Sequence, residues 1–166
     1  MDLQRFLSEC GIAAPRHEHA AVMTVAESER LVPKLPGVKT KNLFLRDKKG
    51  SRHFLVTVRH DLAVDLNALG AALGAGRLGF ASAERLHRHL GVTPGSVSLL
   101  ALINDRAHAV EVVVDRALWD ATAVQAHPLV NTATVILGHA DLERFLAATG
   151  HAARVIDMPV VQGAPT

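Results

Sequence analysis

The chain has 166 residues, with 18 Lys or Arg against 16 Asp or Glu, ten His, 49% apolar and 20% charged side chains. That balance describes one globular domain over residues 1–166, large enough to bury a real core. No apolar run approaches the roughly 20 residues that cross a bilayer, which argues against membrane attachment. The opening Met1-Asp2-Leu3-Gln4-Arg5 carries no apolar signal-peptide run, and the lone Cys10 excludes an internal disulfide, so a cytoplasmic protein is expected.

In chain order, Leu3, Phe6 and Leu7 recur at helical spacing from Asp2 to Cys10, and Gly11 stops the helix. A short strand is predicted around Arg16–Ala20. Thr24 caps a helix through Ala26, Glu27 and Glu29, with Glu27 placed to complete a capping box. Pro33 and Pro36-Gly37 then break the chain. Leu43–Leu45, a charged turn with Gly50 at its tip, and Phe54–Val58 read as a β-hairpin.

A second helix follows over Asp65–Leu73, a short strand over Arg77–Ala81, and a third helix over Ser82–Leu90, capped by Ser82 and closed by Gly91. The tight loop Gly91–Ser96 leads into the apolar run Val97–Ile103. Ala109–Asp115 is β-branched throughout, as expected of a strand buried on both faces. One helical turn at Arg116–Asp120, strands at Ala123–Ala126 and Thr132–Leu137, a strong amphipathic helix at His139–Thr149, a last strand at Arg154–Ile156 and a loose tail at Gln162–Thr166 complete the pattern. Irregular alternation with an early hairpin favours a mixed sheet or partly closed barrel with helices outside it, over a doubly wound parallel sheet.

Charge is distributed unevenly. Residues 34–59 hold eight Lys or Arg and one acid, Asp47, while the rest of the chain is net acidic. Several cations on one hairpin suit phosphate contacts. Arg46, Lys48, Lys49 and Arg52, with Arg85 and Arg88, are the candidates for binding a nucleic-acid backbone, against the plainer reading of a solvated turn.

The ten histidines invite a metal, but neither His17-x-His19 nor His87-x-His89 has a cysteine cluster or carboxylate partner at ligand spacing, so none is expected. Cys10 and Ser96 lack the surroundings of a nucleophile, and no Gly-rich nucleotide loop is present. Three polar elements interrupt apolar surroundings instead: Lys41-Asn42 where the hairpin begins, the Gly95 loop, and the run His127–Thr134. A lysine, a loop of backbone donors bent at a glycine, and a histidine together suit binding and cleavage of an ester. For Lys41 taken alone, a solvated lysine at a strand start stays open.

Four runs carry a resemblance. They are Lys39-Thr40-Lys41-Asn42-Leu43-Phe44-Leu45-Arg46-Asp47, Gly91-Val92-Thr93-Pro94-Gly95-Ser96-Val97-Ser98, His127-Pro128-Leu129-Val130-Asn131-Thr132-Ala133 and Gly138-His139-Ala140-Asp141-Leu142-Glu143. In this order, across residues 2–157, they resemble the YbaK/prolyl-tRNA-synthetase-associated editing superfamily, in its free-standing alanyl-tRNA(Pro) deacylase branch. The resemblance implies an α+β fold on a twisted, barrel-like mixed sheet with surrounding helices. It also implies cofactor-free and metal-free hydrolysis of alanine wrongly esterified to proline tRNA.

The family's invariant lysine maps by its Lys-Asn-Leu context to Lys41, not Lys39, and the glycine of its GxxxP loop maps to Gly95. The proline of that loop is replaced by Leu99, a departure that leaves the loop's shape open. His127 falls at a polar pocket position. Under this reading Lys41, Gly95 and His127 are the catalytic candidates, and Asn42, Ser96, Val97 and Asn131 contact the substrate. The partner is the acceptor end of tRNA(Pro), with docking on prolyl-tRNA synthetase and a monomeric state as further expectations. A deacylase for cysteinyl- or seryl-tRNA, and a non-catalytic tRNA-binding module, remain alternatives.

Overall fold

A computed structural model describes residues 2–21, 24–31 and 34–162. Pro33, read as a chain break, and 163–166 of the expected tail lie outside the described residues. In chain order the elements are α1 (Leu3–Glu9), β1 (Arg16–Glu18), α2 (Val25–Leu31), β2 (Thr40–Asp47), β3 (His53–Arg59), α3 (Leu66–Ala72), β4 (Leu78–Phe80) and α4 (Ala83–Leu90). There follow a 3-10 helix (Leu99–Asn104), β5 (Val110–Asp115), α5 (Arg116–Trp119), β6 (Ala123–Ala126), β7 (Ala133–Gly138), α6 (His139–Thr149) and β8 (Ala153–Ile156).

Side-chain caps fix the helix starts: Thr24 and Ser82, which read as caps, and Asp2 and Asp65, which read as the first residues of their helices. Asp2, Asp65 and Ser82 each accept a first-turn backbone N–H through a side-chain oxygen. Thr24 Oγ1 accepts the Glu27 N–H at 3.1 Å and donates its own proton to the Glu27 carboxylate at 3.4 Å. The run Val97–Ile103, which sequence left without a conformation, becomes the 3-10 helix. Ser98 starts it by accepting the Leu100 N–H, and Leu99–Ile103 are all buried.

The strands form a three-stranded sheet, ordered β1-β7-β6, and a five-stranded mixed sheet, ordered β4-β2-β3-β5-β8. Within the larger sheet β3, β5 and β8 run parallel, and β2 pairs antiparallel with both neighbours. Successive side chains on a strand point to opposite faces, and both faces of this sheet are covered. Phe44, Leu55, Val112 and Val114 belong to the larger core with Leu86, Leu90, Phe145 and the inner residues of the small sheet. Leu45, Val56, Val58 and Val113 pack against Leu62, Leu69 and Leu73 on the other side. Double coverage explains why β3 and β5 read as almost unbroken β-branched and aromatic runs.

Two expectations are corrected. No closed barrel forms among the described residues. The two sheets touch through one parallel bridge, Val38 to Val124, after which β2 leaves β6 to complete its pairing with β3. The first hairpin strand also begins three residues before its apolar stretch, so Lys41 and Asn42 lie inside β2 rather than at its approach. Their pairing with Val58 and Thr57 carries the ladder through them.

The hairpin turn depends on Asp47. Its carboxylate accepts the N–H groups of Ser51 at 2.8 Å and Arg52 at 3.1 Å, and the Ser51 hydroxyl at 2.9 Å. The Arg52 N–H above all, with the Ser51 groups, holds the carboxyl below its usual range. A depressed folded-state pKa contributes stability that is present above the unfolded value and lost as pH falls through the folded one. Asp47→Asn should therefore lower the thermal midpoint at neutral pH, and the difference from wild type should vanish in acid. A gap that persists unchanged at low pH would contradict this account of the turn.

Candidate active site

β2 and β6 start as neighbours and then part, and the opening between them is the candidate site. At the junction the Val38 N–H donates to Ala123 O at 3.0 Å and the Gln125 N–H to Val38 O at 2.9 Å. The approach is tight because residue 37 is glycine. Its φ is +90°, and a Cβ there would sit 3.2 Å from the Ala123 carbonyl. Gln125, buried to 6% exposure, donates through Nε2 to the carbonyls of Leu35, Pro36 and Gly37 at 3.1–3.3 Å. The Thr40 hydroxyl crosses to the Gln125 carbonyl at 2.6 Å. Beyond these contacts the strands separate.

Two small hollows meet in this gap and share Thr40, Gln125 and Ala126. The outer one, about 30 Å³, is also lined by Lys39, His127 and Thr134. The inner one, about 10 Å³, is walled by Leu99, Val114, Leu118, Leu137 and Leu142, with Asn42 and Thr57 at its edge. The polar groups of the inner wall satisfy one another. Thr57 Oγ1 donates to Asn42 Oδ1 at 2.7 Å, and Asn42 Nδ2 reaches the Val97 carbonyl at 3.4 Å. The inner hollow is therefore apolar, with room for a group the size of one water or methyl.

His127 is held in one tautomer. Its Nδ1 lies 3.1 Å from the Ala133 carbonyl, an acceptor, so Nδ1 carries the proton and Nε2 keeps a lone pair. Burial keeps the imidazole below its ordinary pKa; the Ala133 bond opposes this and nearby His19 adds to it. His19 is oriented by the same logic. Its Nδ1 donates to Ala20 O at 2.8 Å, so Nε2 accepts the Thr134 hydroxyl at 2.8 Å.

Lys41 and Asn42, adjacent in sequence, leave β2 on opposite faces. Asn42 reaches the Gly95 loop from the inner face. Lys41 shares the outer face with Lys39 and lies opposite Val58, where burial lowers its pKa and the charge of Asp61 partly restores it. Lys39 is engaged by Glu29 of α2 at 3.7 Å, and Glu29 also holds His60 at 2.7 Å. Among the described residues Lys41 has no such ion pair within 4 Å.

The expected convergence of Lys41, Gly95 and His127 on one cavity is thus corrected. The linings of the two hollows include neither Lys41 nor Gly95, because the strand pleat sends the lysine outward and the loop lies behind the sheet. Gly95 does take the positive φ, +94°, that the bend requires. The Ser96 N–H is spent on Thr93 O at 3.1 Å and so is not a free donor of the loop. Leu99, where the family motif has proline, is a wall of the inner hollow. Asn131 is half-buried in the loop between β6 and β7.

The basic turn divides in two. Arg52 is committed, with Nε and Nη2 on both carboxylate oxygens of Glu111 at 2.9 and 2.8 Å and Nη1 on Gly74 O at 3.2 Å. Arg85 donates to Gly50 O and His53 Nε2, and Arg46 to the carbonyls of Asp47 and Lys48. These cations staple the fold. Lys48, Lys49 and Arg88 are exposed. Sequence reasoning missed Thr40, Gln125, His19 and Thr134 as site residues. Thr40 and Thr134 stood inside the quoted runs, but a glutamine in a strand carries no local signal.

Residues 19–145 match the model of the aminoacyl-tRNA editing domain. The chain is 40% identical over 141 residues to the prolyl-tRNA editing protein ProX of Acetoanaerobium sticklandii, covering 85% of this chain and 86% of that one. It is 43% identical over 152 residues to prolyl-tRNA synthetase associated domain-containing protein 1 of Danio rerio, covering 90% and 82%. The crystal structure of a putative trans-editing enzyme for prolyl tRNA synthetase shares the fold, with a TM-score of 0.71 over 96% of both chains at 23% identity.

A titration followed on the imidazole ring protons should place the His127 midpoint below the ordinary 6.5. His127→Ala identifies the signal, and a midpoint at or above 6.5 would contradict the buried, Nδ1-protonated arrangement.

Proposed function

Since the chain belongs to the aminoacyl-tRNA editing domain family, we propose that it is a free-standing deacylase that hydrolyses mischarged Ala-tRNA(Pro) to alanine and tRNA. The observation that carries this reading is the β2–β6 gap. It joins a histidine lone pair (His127 Nε2) at the outer hollow to an apolar inner hollow of about 10 Å³, while Lys41, with no ion pair within 4 Å among the described residues, stands outside both linings on the other face of β2 from Asn42. No helix among the described residues is long and apolar enough to cross a membrane.

The aminoacyl ester is intrinsically labile, so positioning and charge stabilisation suffice for catalysis. Water adds to the ester carbonyl carbon, and the intermediate collapses with cleavage of the bond to the ribose oxygen, which takes up a proton. The Gly95 and Val97 N–H groups are suited to stabilise the oxyanion from behind the gap. His127 Nε2 accepts a hydrogen bond at the outer mouth. Lys41 draws in the terminal phosphate on the same face, and Asn42 fixes the loop by holding the Val97 carbonyl.

The same hollow supports alanine over the alternatives. A proline ring does not fit a space of about 10 Å³. A serine hydroxyl would find the Thr40 and Thr57 protons already donated, to Gln125 O and Asn42 Oδ1, and an apolar pocket rejects an added hydroxyl by only about 100-fold. Discrimination between tRNAs must come from the acceptor stem, with Lys48 and Lys49 as its phosphate contacts. Docking on prolyl-tRNA synthetase belongs to this reading as well.

Deacylation of alanyl-, seryl-, cysteinyl- and prolyl-tRNA(Pro) tests it. Wild type should act on the alanyl ester first, and Lys41→Ala should cost about 100-fold or more, the scale of removing one preorganised electrostatic group. Lys39→Ala should cost under about tenfold, because Lys39 is already paired with Glu29. Equal losses at 39 and 41, or no hydrolysis of any ester, would sink the assignment. Binding should weaken steeply with salt, and Lys48→Ala and Lys49→Ala should each lower the log–log slope by about 0.7–0.9. A slope unchanged by both would remove them from the interface.

A further inference from the structure

We propose that Phe80 is a stacking platform for an unpaired base in the 3′ end of the tRNA, an inference that rests on the deacylase reading. Phe80 is 63% exposed, more than any other large hydrophobic residue among those described. It ends the three-residue edge strand β4. A single exposed apolar side chain needs no explanation of its own, but the position of this one is informative.

In the antiparallel pair β2–β4, Phe80 lies opposite Leu45, so both side chains stand on the same face of the sheet. Lys41 stands on that face too, four residues back along β2, or about 13 Å at the usual rise of a strand. Phe80 therefore shares a sheet face with Lys41 at a spacing of a few nucleotides, with Leu43 and Leu45 between them packed into the second core. Leu78, two residues earlier on the same face, is buried against the second core, so the sheet is covered there and the cover stops short of Phe80.

The other direction along β4 leads to cations. Asp47 lies opposite Leu78, so Lys48 and Arg77 continue the pair, and with Lys49 all three are exposed. None of the three has an ion pair within 4 Å among the described residues. The order along the strand pair is thus Lys41, the open aromatic face of Phe80, and three available cations beside the hairpin tip. Alternating positive charge and aromatic surface is what a single strand needs, since every base has a face to stack and every phosphate a charge to meet. A peptide partner would make no use of that order.

The test compares wild type, Phe80→Ala and Phe80→Trp on two substrates: an alanylated acceptor-stem RNA with its unpaired 3′ end, and the alanyl ester of adenosine alone. Phe80→Ala should raise KM for the RNA roughly 5- to 150-fold, the range for loss of one stacked base, with kcat nearly unchanged. Its thermal midpoint and the salt slope of its RNA binding should match wild type, because stacking releases no counterions. Phe80→Trp should restore KM, and all three proteins should turn over the adenosine ester equally. An unchanged KM for the RNA, or an equal loss on both substrates, overturns the platform while leaving the deacylase intact. Wild type inert on both substrates overturns the deacylase reading and the platform with it.

Discussion

The parallel bridge between Val38 and Val124 is the contact on which the site depends. It brings two sheets edge to edge, and beyond it β2 bends away to pair with β3. A longer ladder between β2 and β6 would have closed the wall and left no opening. Gly37 permits the approach, Gln125 pins the preceding turn by three carbonyls, and the Thr40 hydroxyl holds the last crossing. The site is thus a ladder that stops early, with backbone groups and a strand pleat facing the cavity.

The strand pleat separates the polar groups that sequence placed side by side. Lys41 projects to one side of the sheet and Asn42, with the Gly95 loop, to the other. The outer hollow carries the imidazole of His127 in its lining and the inner hollow is walled by apolar side chains, while Lys41 stands outside both. The hollow is apolar because Thr40, Asn42, Thr57 and Gln125 use their polar atoms on one another and on the backbone. An unpaired polar atom there would have offered a hydroxyl-bearing side chain a partner, and discrimination would have been lost.

Positive charge serves two purposes in this molecule. Arg52, Arg85 and Arg46 hold Glu111, Gly74, Gly50, His53 and the hairpin turn in place. The planar five-donor guanidinium suits this stapling, whereas lysine offers a compact charge on a flexible stem. Lys41, Lys48 and Lys49 have no ion pair within 4 Å among the described residues, and Lys48 and Lys49 are exposed. The cluster of eight cations over 34–59 is therefore partly structural, and its nucleic-acid signal comes chiefly from the lysines.

Helix positions, the caps at Thr24 and Ser82, the hairpin with Gly50 at its tip, the doubly buried β5 and the family membership were all legible in the sequence. These depend on local periodicity, cap chemistry and short motifs, which neighbouring residues determine. The absence of a closed barrel, the pairing of Gln125 with the 35–37 carbonyls, and the commitment of Arg52 to Glu111 were not. Each joins residues about 60 to 90 positions apart or depends on where a ladder ends. Lys41 and Asn42 show the division most clearly. Sequence identified both, but only the extension of the β2–β3 ladder through them decided that they face opposite sides of the sheet.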